Sequence, residues 1–137
     1  MAEPRETPFM KRLLVALGAG VPQSRWWRQN SGQILMVDEQ GQKRVFRAAP
    51  KGAADLLGIV APHGMHVHVE TKSAAGQQKP AQQAWQAMVE KHGGLYLLCA
   101  YDAHLTMDAN VYQAVEYVRT IVNIKRVGPL APPRNPP

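Results

Sequence analysis

Cysteine is all but missing from this chain. Cys99 stands alone among 137 residues, so no intrachain disulfide framework can staple the fold, and the residue usage fits a reducing cytoplasm. Acidic residues are also scarce. Ten Asp and Glu face sixteen Lys and Arg, a formal net charge of +6 with a sequence pI of ≈ 9.8. No apolar run approaches the length of a membrane span. Lys11-Arg12 followed by Leu13 to Leu17 faintly imitates a signal peptide, but the run is short and follows Glu3 and Glu6, which reads as an amphipathic helix. What is present is a basic surplus concentrated at Arg25, Arg28, Lys43, Arg44, Arg47 and Lys51, which points to a polyanionic partner and not to a membrane. The length suits one domain with a core of its own.

Hydrophobic periodicity and turn residues order the chain. Thr7-Pro8 supplies a cap and first helical residue, and Phe9, Leu13, Leu14 and Leu17 recur at helical spacing until Gly18 and Gly20. From Ser24 to Ala48, strand-like pieces separated by Asn30-Ser31-Gly32 and Glu39-Gln40-Gly41 read as a meander of short antiparallel strands. Lys79-Pro80 opens a second helix that closes at Gly93-Gly94. Leu95 to Ala100 is a buried strand, with Cys99 a small core residue. Asp108 caps a third helix whose Val111, Val115, Val118 and Val122 form one stripe. The expected order is αβββαβα, a mixed sheet between helices, in one domain over residues 1–127. Residues 128–137, rich in proline, read as a flexible tail.

The chemistry concentrates between Lys51 and Trp85. Met65 to Lys72 reads as a strand whose alternation puts His66, His68, Glu70 and Lys72 on one face and Val67, Val69 and Thr71 on the other. Asp55 to Val60 reads as the preceding strand, joined to it by Ala61-Pro62-His63-Gly64. If Ala61 lies opposite Gly64, six steps back along one strand and six forward along the other bring Asp55 opposite Glu70. Opposed side chains have Cβ atoms roughly 4.5–5.5 Å apart. Two carboxylates so placed repel unless a divalent cation lies between them, and hard oxygen ligands suit Mg²⁺ or Mn²⁺. Lys72 adds a positive charge on the same face. A register shifted by one residue would part the pair. Singly, Asp55 could cap a turn and Glu70 could pair with Lys72 at a surface; their joint spacing and the basic composition favour a site. His63, His66 and His68 read as lining a polar groove near this site and not as zinc ligands. Trp26 and Trp27 must point to opposite faces of a strand, one into the core and one partly exposed, with packing preferred over base stacking as their role.

Four segments resemble the VRR-NUC family of the PD-(D/E)XK nuclease superfamily. They are Arg28-x-Asn30-x-Gly32, Gly52-x-x-Asp55-Leu56-Leu57-Gly58, Glu70-Thr71-Lys72, and Gly76 to Trp85 with Pro80 and Gln82. The resemblance implies a restriction-endonuclease-like αβββαβ core with a C-terminal helix. It further implies metal ligation by Asp55, Glu70 and the backbone carbonyl of Thr71, with Lys72 orienting water or stabilising phosphate charge and Gln82 reaching in from the second helix. Such families often place another acid on the first helix, for which Glu3 and Glu6 are the candidates. Arg25, Arg28, Asn30, Arg47 and Lys51 are then the expected nucleic-acid contacts. The activity implied is Mg²⁺- or Mn²⁺-dependent endonucleolytic hydrolysis of DNA, selective for branched structures such as four-way junctions, by an intracellular homodimer of bacterial or phage origin. An inactive nucleic-acid binder of the same fold, or an exonuclease or RNA-directed nuclease, is the alternative.

Overall fold

The computed structural model describes residues 6–29, 33–47, 49–73 and 76–127. Nine elements follow one another: α1 (Glu6–Gly20), β1 (Ser24–Arg28), β2 (Gln33–Val37), β3 (Lys43–Arg47), β4 (Leu56–Val60), β5 (Met65–Lys72), α2 (Pro80–Lys91), β6 (Leu95–Ala100) and α3 (Met107–Val127). The strands do not pair in chain order. β1, β4, β5 and β6 form one mixed sheet in that order, antiparallel except for the parallel β5–β6 pair, while β2 and β3 make a separate hairpin. The expected continuous meander is therefore corrected. An αβββαβα frame is present, but β2–β3 is inserted between its first two strands, and β1 passes over the insert to pair with β4. The hairpin leaves Leu35, Met36, Val37, Val45 and Phe46 exposed. With side chains on both its faces open to solvent, the pattern could not show that these strands stand apart from the sheet.

One face of the sheet is the core. Leu56, Val60, Val67, Val69, Leu97 and Cys99 pack against Phe9, Leu13 and Leu17 of α1 and Val111, Ala114, Val118 and Val122 of α3. Burying such side chains stabilises by roughly 1.5–3 kcal/mol each, and the valine stripe of α3 is consumed in doing so. Trp26 lies on this side, its indole against Gly58, where an added Cβ would meet the ring at 2.5 Å. Its Nε1–H donates to Ser24 Oγ at 2.7 Å. Only glycine at 58 lets the ring lie flat on the strand.

Helix ends differ slightly from expectation. α1 takes in Glu6, one residue before the expected cap. α3 is capped by Thr106, whose Oγ1 accepts from Ala109 N–H at 3.1 Å; Asp108 instead lies in the first turn and pairs with Arg12. Threonine and aspartate are both favoured caps, aspartate somewhat the more so, and the path of the backbone decides between two that stand two residues apart. No helix among the described residues is long and apolar enough to cross a membrane.

Candidate active site

The other face of the sheet carries the chemistry-bearing side chains. The β4–β5 register pairs Leu56 with Val69, Leu57 with His68 and Val60 with Met65, which carried one step further sets Asp55 against Glu70 as the turn length predicts. β4 begins at Leu56, so Asp55 lies just ahead of the strand, where its carbonyl accepts from Gln29 N–H at 2.8 Å and ties it to the end of β1. On β5, Val67, Val69 and Thr71 are buried in the core, and the opposite face presents His66, His68, Glu70 and Lys72.

Each acid is held differently. Asp55 Oδ2 accepts two hydrogen bonds from Thr71, from the backbone N–H at 2.9 Å and from Oγ1 at 2.8 Å. The expectation gave Thr71 only a carbonyl; its hydroxyl has a positional role that an E-x-K pattern, indifferent to the middle side chain, does not reveal. Glu70 is 3 % exposed. Its Oε1 accepts from Gln82 Nε2 at 2.7 Å and lies 3.5 Å from Lys72 Nζ, while its Oε2 is buried with no hydrogen-bond partner. A buried carboxylate oxygen without a donor is costly. Burial first, and then the negative charge of Asp55, push the Glu70 carboxyl up from 4.5 to about 7, against the opposing pull of Lys72. Desolvation outweighs the neighbouring ammonium, which sits 3.5 Å from Oε1, toward the longer end of ion-pair range.

The start of α2 completes the arrangement. Pro80 fits the first helical turn because it has no N–H to satisfy there. The Lys79 ammonium has no lone pair with which to cap, and the end is secured from the other direction, Gln82 Oε1 accepting from Lys79 N–H at 2.8 Å. One Gln82 amide thus closes the helix start with its oxygen and holds Glu70 with its nitrogen. Gly52 lets the Asp55 loop approach: its φ is +88°, and a Cβ there would sit 2.2 Å from the carbonyl oxygen of Ala81. The result is a cavity of ≈ 210 Å³ onto which Lys51, Asp55, Glu70, Lys79 and Gln82 open. Lys79 was not anticipated there; the sequence marked it only as the residue ahead of the second helix.

Two hard carboxylates, one with a donorless oxygen, together with the carbonyl of Thr71 on β5 and nearby neutralising lysines, make a donor set suited to a small divalent cation. Among the described residues no group of three or more His, Cys, Asp or Glu is placed to share a metal ion. The histidines do not form the expected groove near this site. His68 is buried under α2, its Nδ1 accepting from Trp85 Nε1–H at 3.2 Å, and burial, aided by His66, lowers it to about 4. His66 and His68 line a different cavity, of ≈ 370 Å³, with His92 at the far end of α2, and His63 is exposed in the turn. Strand alternation correctly put His68 on the face of Glu70 but could not tell that α2 would cover it.

The expected nucleic-acid contacts are spread out. Lys51 lines the cavity. Arg25 is exposed on the site face, beside Ile59, and Arg28 is exposed at the other end of β1 in line with the core face, opposite Leu56. Arg47 belongs to β3, across from Gln33 in the separate hairpin. Asn30 and Gly32, Glu3, and residues 128–137 lie outside the described residues.

No protein-family model matches the chain, and no curated protein matches it. Among solved structures, one described as "VRR_NUC domain" is similar at 19% sequence identity with a TM-score of 0.46, covering 84% of this chain and 98% of that chain.

Proposed function

We propose that the protein is a divalent-metal-dependent nuclease that hydrolyses DNA phosphodiester bonds. The observation that carries the reading is the Glu70 carboxylate, which is buried with one oxygen unpartnered and faces Asp55 across a cavity rimmed by two lysines. Asp55, Glu70 and the carbonyl of Thr71 would hold Mg²⁺ or Mn²⁺. Such an ion, when bound, supplies a nucleophilic water at neutral pH and neutralises charge on the phosphate.

The side chains supply the rest. Thr71, through its two hydrogen bonds, fixes the Asp55 carboxylate, and Gln82 fixes Glu70 Oε1, so neither acid must reorganise when substrate enters. Lys72, whose ammonium lies 3.5 Å from Glu70 Oε1, would orient the attacking water or stabilise charge on a phosphate oxygen. Lys51 and Lys79 hold a positive potential over the cavity mouth that draws in the backbone of a polyanion. Hydrolysis by this set needs no covalent enzyme intermediate.

The same reading extends to substrate and assembly. The four sequence segments that resemble the VRR-NUC family favour branched DNA, and a two-fold homodimer would set two cavities on a two-fold symmetric junction. Incubating the protein with linear duplex, flap and four-way-junction DNA, with Mg²⁺ or with EDTA, tests this. Cleavage is expected only with the metal, fastest on branched substrates, and lost in Glu70→Ala and Lys72→Ala. Wild-type cleavage rates in either variant would remove the assignment, and salt-sensitive binding without cleavage of any substrate would leave a binder.

A further inference from the structure

The site face of the sheet does not end at the cavity. α2 lies over β5 and β6, with Trp85, Val89 and Tyr96 packed together there, but the described residues leave the β1 side open. The registers place Arg25, Ile59 and His66 in one lateral row and Trp27, Leu57 and His68 in the next, the row adjoining Asp55 and Glu70. In this open strip Trp27 is 43% exposed, Ile59 41%, and Arg25 is exposed as well. Its partner Trp26 is accounted for by packing on Gly58, whereas Trp27 presents its ring to solvent on the side where the chemistry lies.

Distance makes the position informative. From Asp55 to Leu57 is two residues along a strand, about 6.7 Å, and Trp27 is one strand further across, about 4.8 Å. A strand whose phosphate sits in the cavity and which runs across the open face toward β1 passes its neighbouring nucleotide over Trp27. Arg25, two residues along on the same face, then meets the next stretch of backbone. An indole flanked by apolar Leu57 and Ile59, with a guanidinium at one side and lysines at the other, matches a base on a phosphate chain in shape and in charge. It does not match a base pair in a duplex, whose faces are already stacked.

Resting on the nuclease reading, we propose that Trp27 is the stacking platform of a subsite for one unpaired nucleotide adjacent to the scissile phosphate, with Arg25 contacting the following phosphate. The site thereby favours DNA in which bases next to the cleavage point are free, as at a branch or flap. Trp27 is a specificity residue and takes no part in the chemistry.

The test is binding in EDTA, where nothing is cleaved, to an oligothymidylate and to a duplex of equal length, for the wild type, Trp27→Ala, Trp27→Phe and Arg25→Ala. Trp27→Ala is expected to bind the unpaired strand about 5- to 150-fold more weakly, the range that the stacking of one base corresponds to. Its duplex affinity should change less than about twofold, and Trp27→Phe should keep most of the unpaired-strand affinity while losing part of the DNA-induced quenching of tryptophan fluorescence. Arg25→Ala should flatten the salt dependence by about one unit. Unchanged affinity of Trp27→Ala for the unpaired strand, an equal loss on duplex, or no binding of wild type to either ligand would overturn the platform. Separate failures stay distinguishable. A protein that cleaves normally without Trp27-dependent binding sinks the platform alone, and one that binds through Trp27 but never cleaves with Mg²⁺ sinks the nuclease reading alone.

Discussion

Replacing Glu70 with glutamine should make the metal-free protein more stable at alkaline pH while destroying its activity. In the fold the carboxyl titrates at about 7, against 4.5 for an ordinary glutamate, because burial and Asp55 disfavour its ionised form. A group whose folded value is raised gives stability that is whole below the unfolded value and is lost as pH climbs through the folded one. The metal-free wild type should therefore weaken between about pH 4.5 and 7 and level off above, the total roughly 3 kcal/mol at 1.36 kcal/mol per unit. Glu70→Gln keeps an oxygen for the Gln82 amide and carries no charge, so it lacks this slope. For a domain of this size each kcal/mol moves Tm by roughly 3–6 °C, so thermal unfolding in EDTA at pH 8 should put the variant about 10 °C above wild type once the two are aligned at pH 4.5. Parallel pH–Tm curves for the two proteins would refute the argument that Glu70 is held against its own desolvation. Under the proposed function, a bound cation would be what satisfies this group.

Other consequences follow from the same geometry. Gly52→Ala forces a Cβ onto the Ala81 carbonyl at positive φ, and should cost about 1–3 kcal/mol in urea unfolding and a larger factor in cleavage, since it pushes the Gln82 turn off Glu70; Gly18→Ala, with nothing within 4 Å, should be neutral or stabilising. Lys51→Ala with Lys79→Ala should weaken DNA binding and reduce the slope of log K against log salt by about 1.8, and an unchanged slope would move the backbone contact elsewhere. Cys99, with its thiol pushed up to about 12 by burial, should resist alkylation at pH 8 until the chain is unfolded in denaturant; rapid labelling of native protein would show that β6 is not the buried strand described.

How much of this was legible beforehand depended on whether the information was local. The β4–β5 register was, because a four-residue turn between two strands of period two leaves one alignment that buries Val67 and Val69 together with Leu56 and Val60. The Pro80 helix start and the position of Gln82 within it were legible for the same reason. The detached β2–β3 hairpin was not: strand propensity says that Gln33 to Val37 extends, and nothing in it says with whom it pairs. The choice of Thr106 over Asp108 as a cap, the Thr71 hydroxyl on Asp55 and the burial of His68 beneath Trp85 each depend on a partner far away in the chain or on the exact path of the backbone. Trp27 lies between these cases. Alternation showed that one of the two tryptophans must face away from the core, and only the register with β4 showed that it faces toward Asp55 and Glu70.

Crystals soaked in Mn²⁺ and measured at the manganese absorption edge put the central claim to its most direct trial. The account predicts an anomalous peak in the cavity, within ligand distance of Asp55, Glu70 Oε2 and the Thr71 carbonyl, and its absence in Glu70→Gln crystals treated alike. A fully soaked crystal with no density between the two carboxylates, or with manganese only beside His66 and His92, would contradict it.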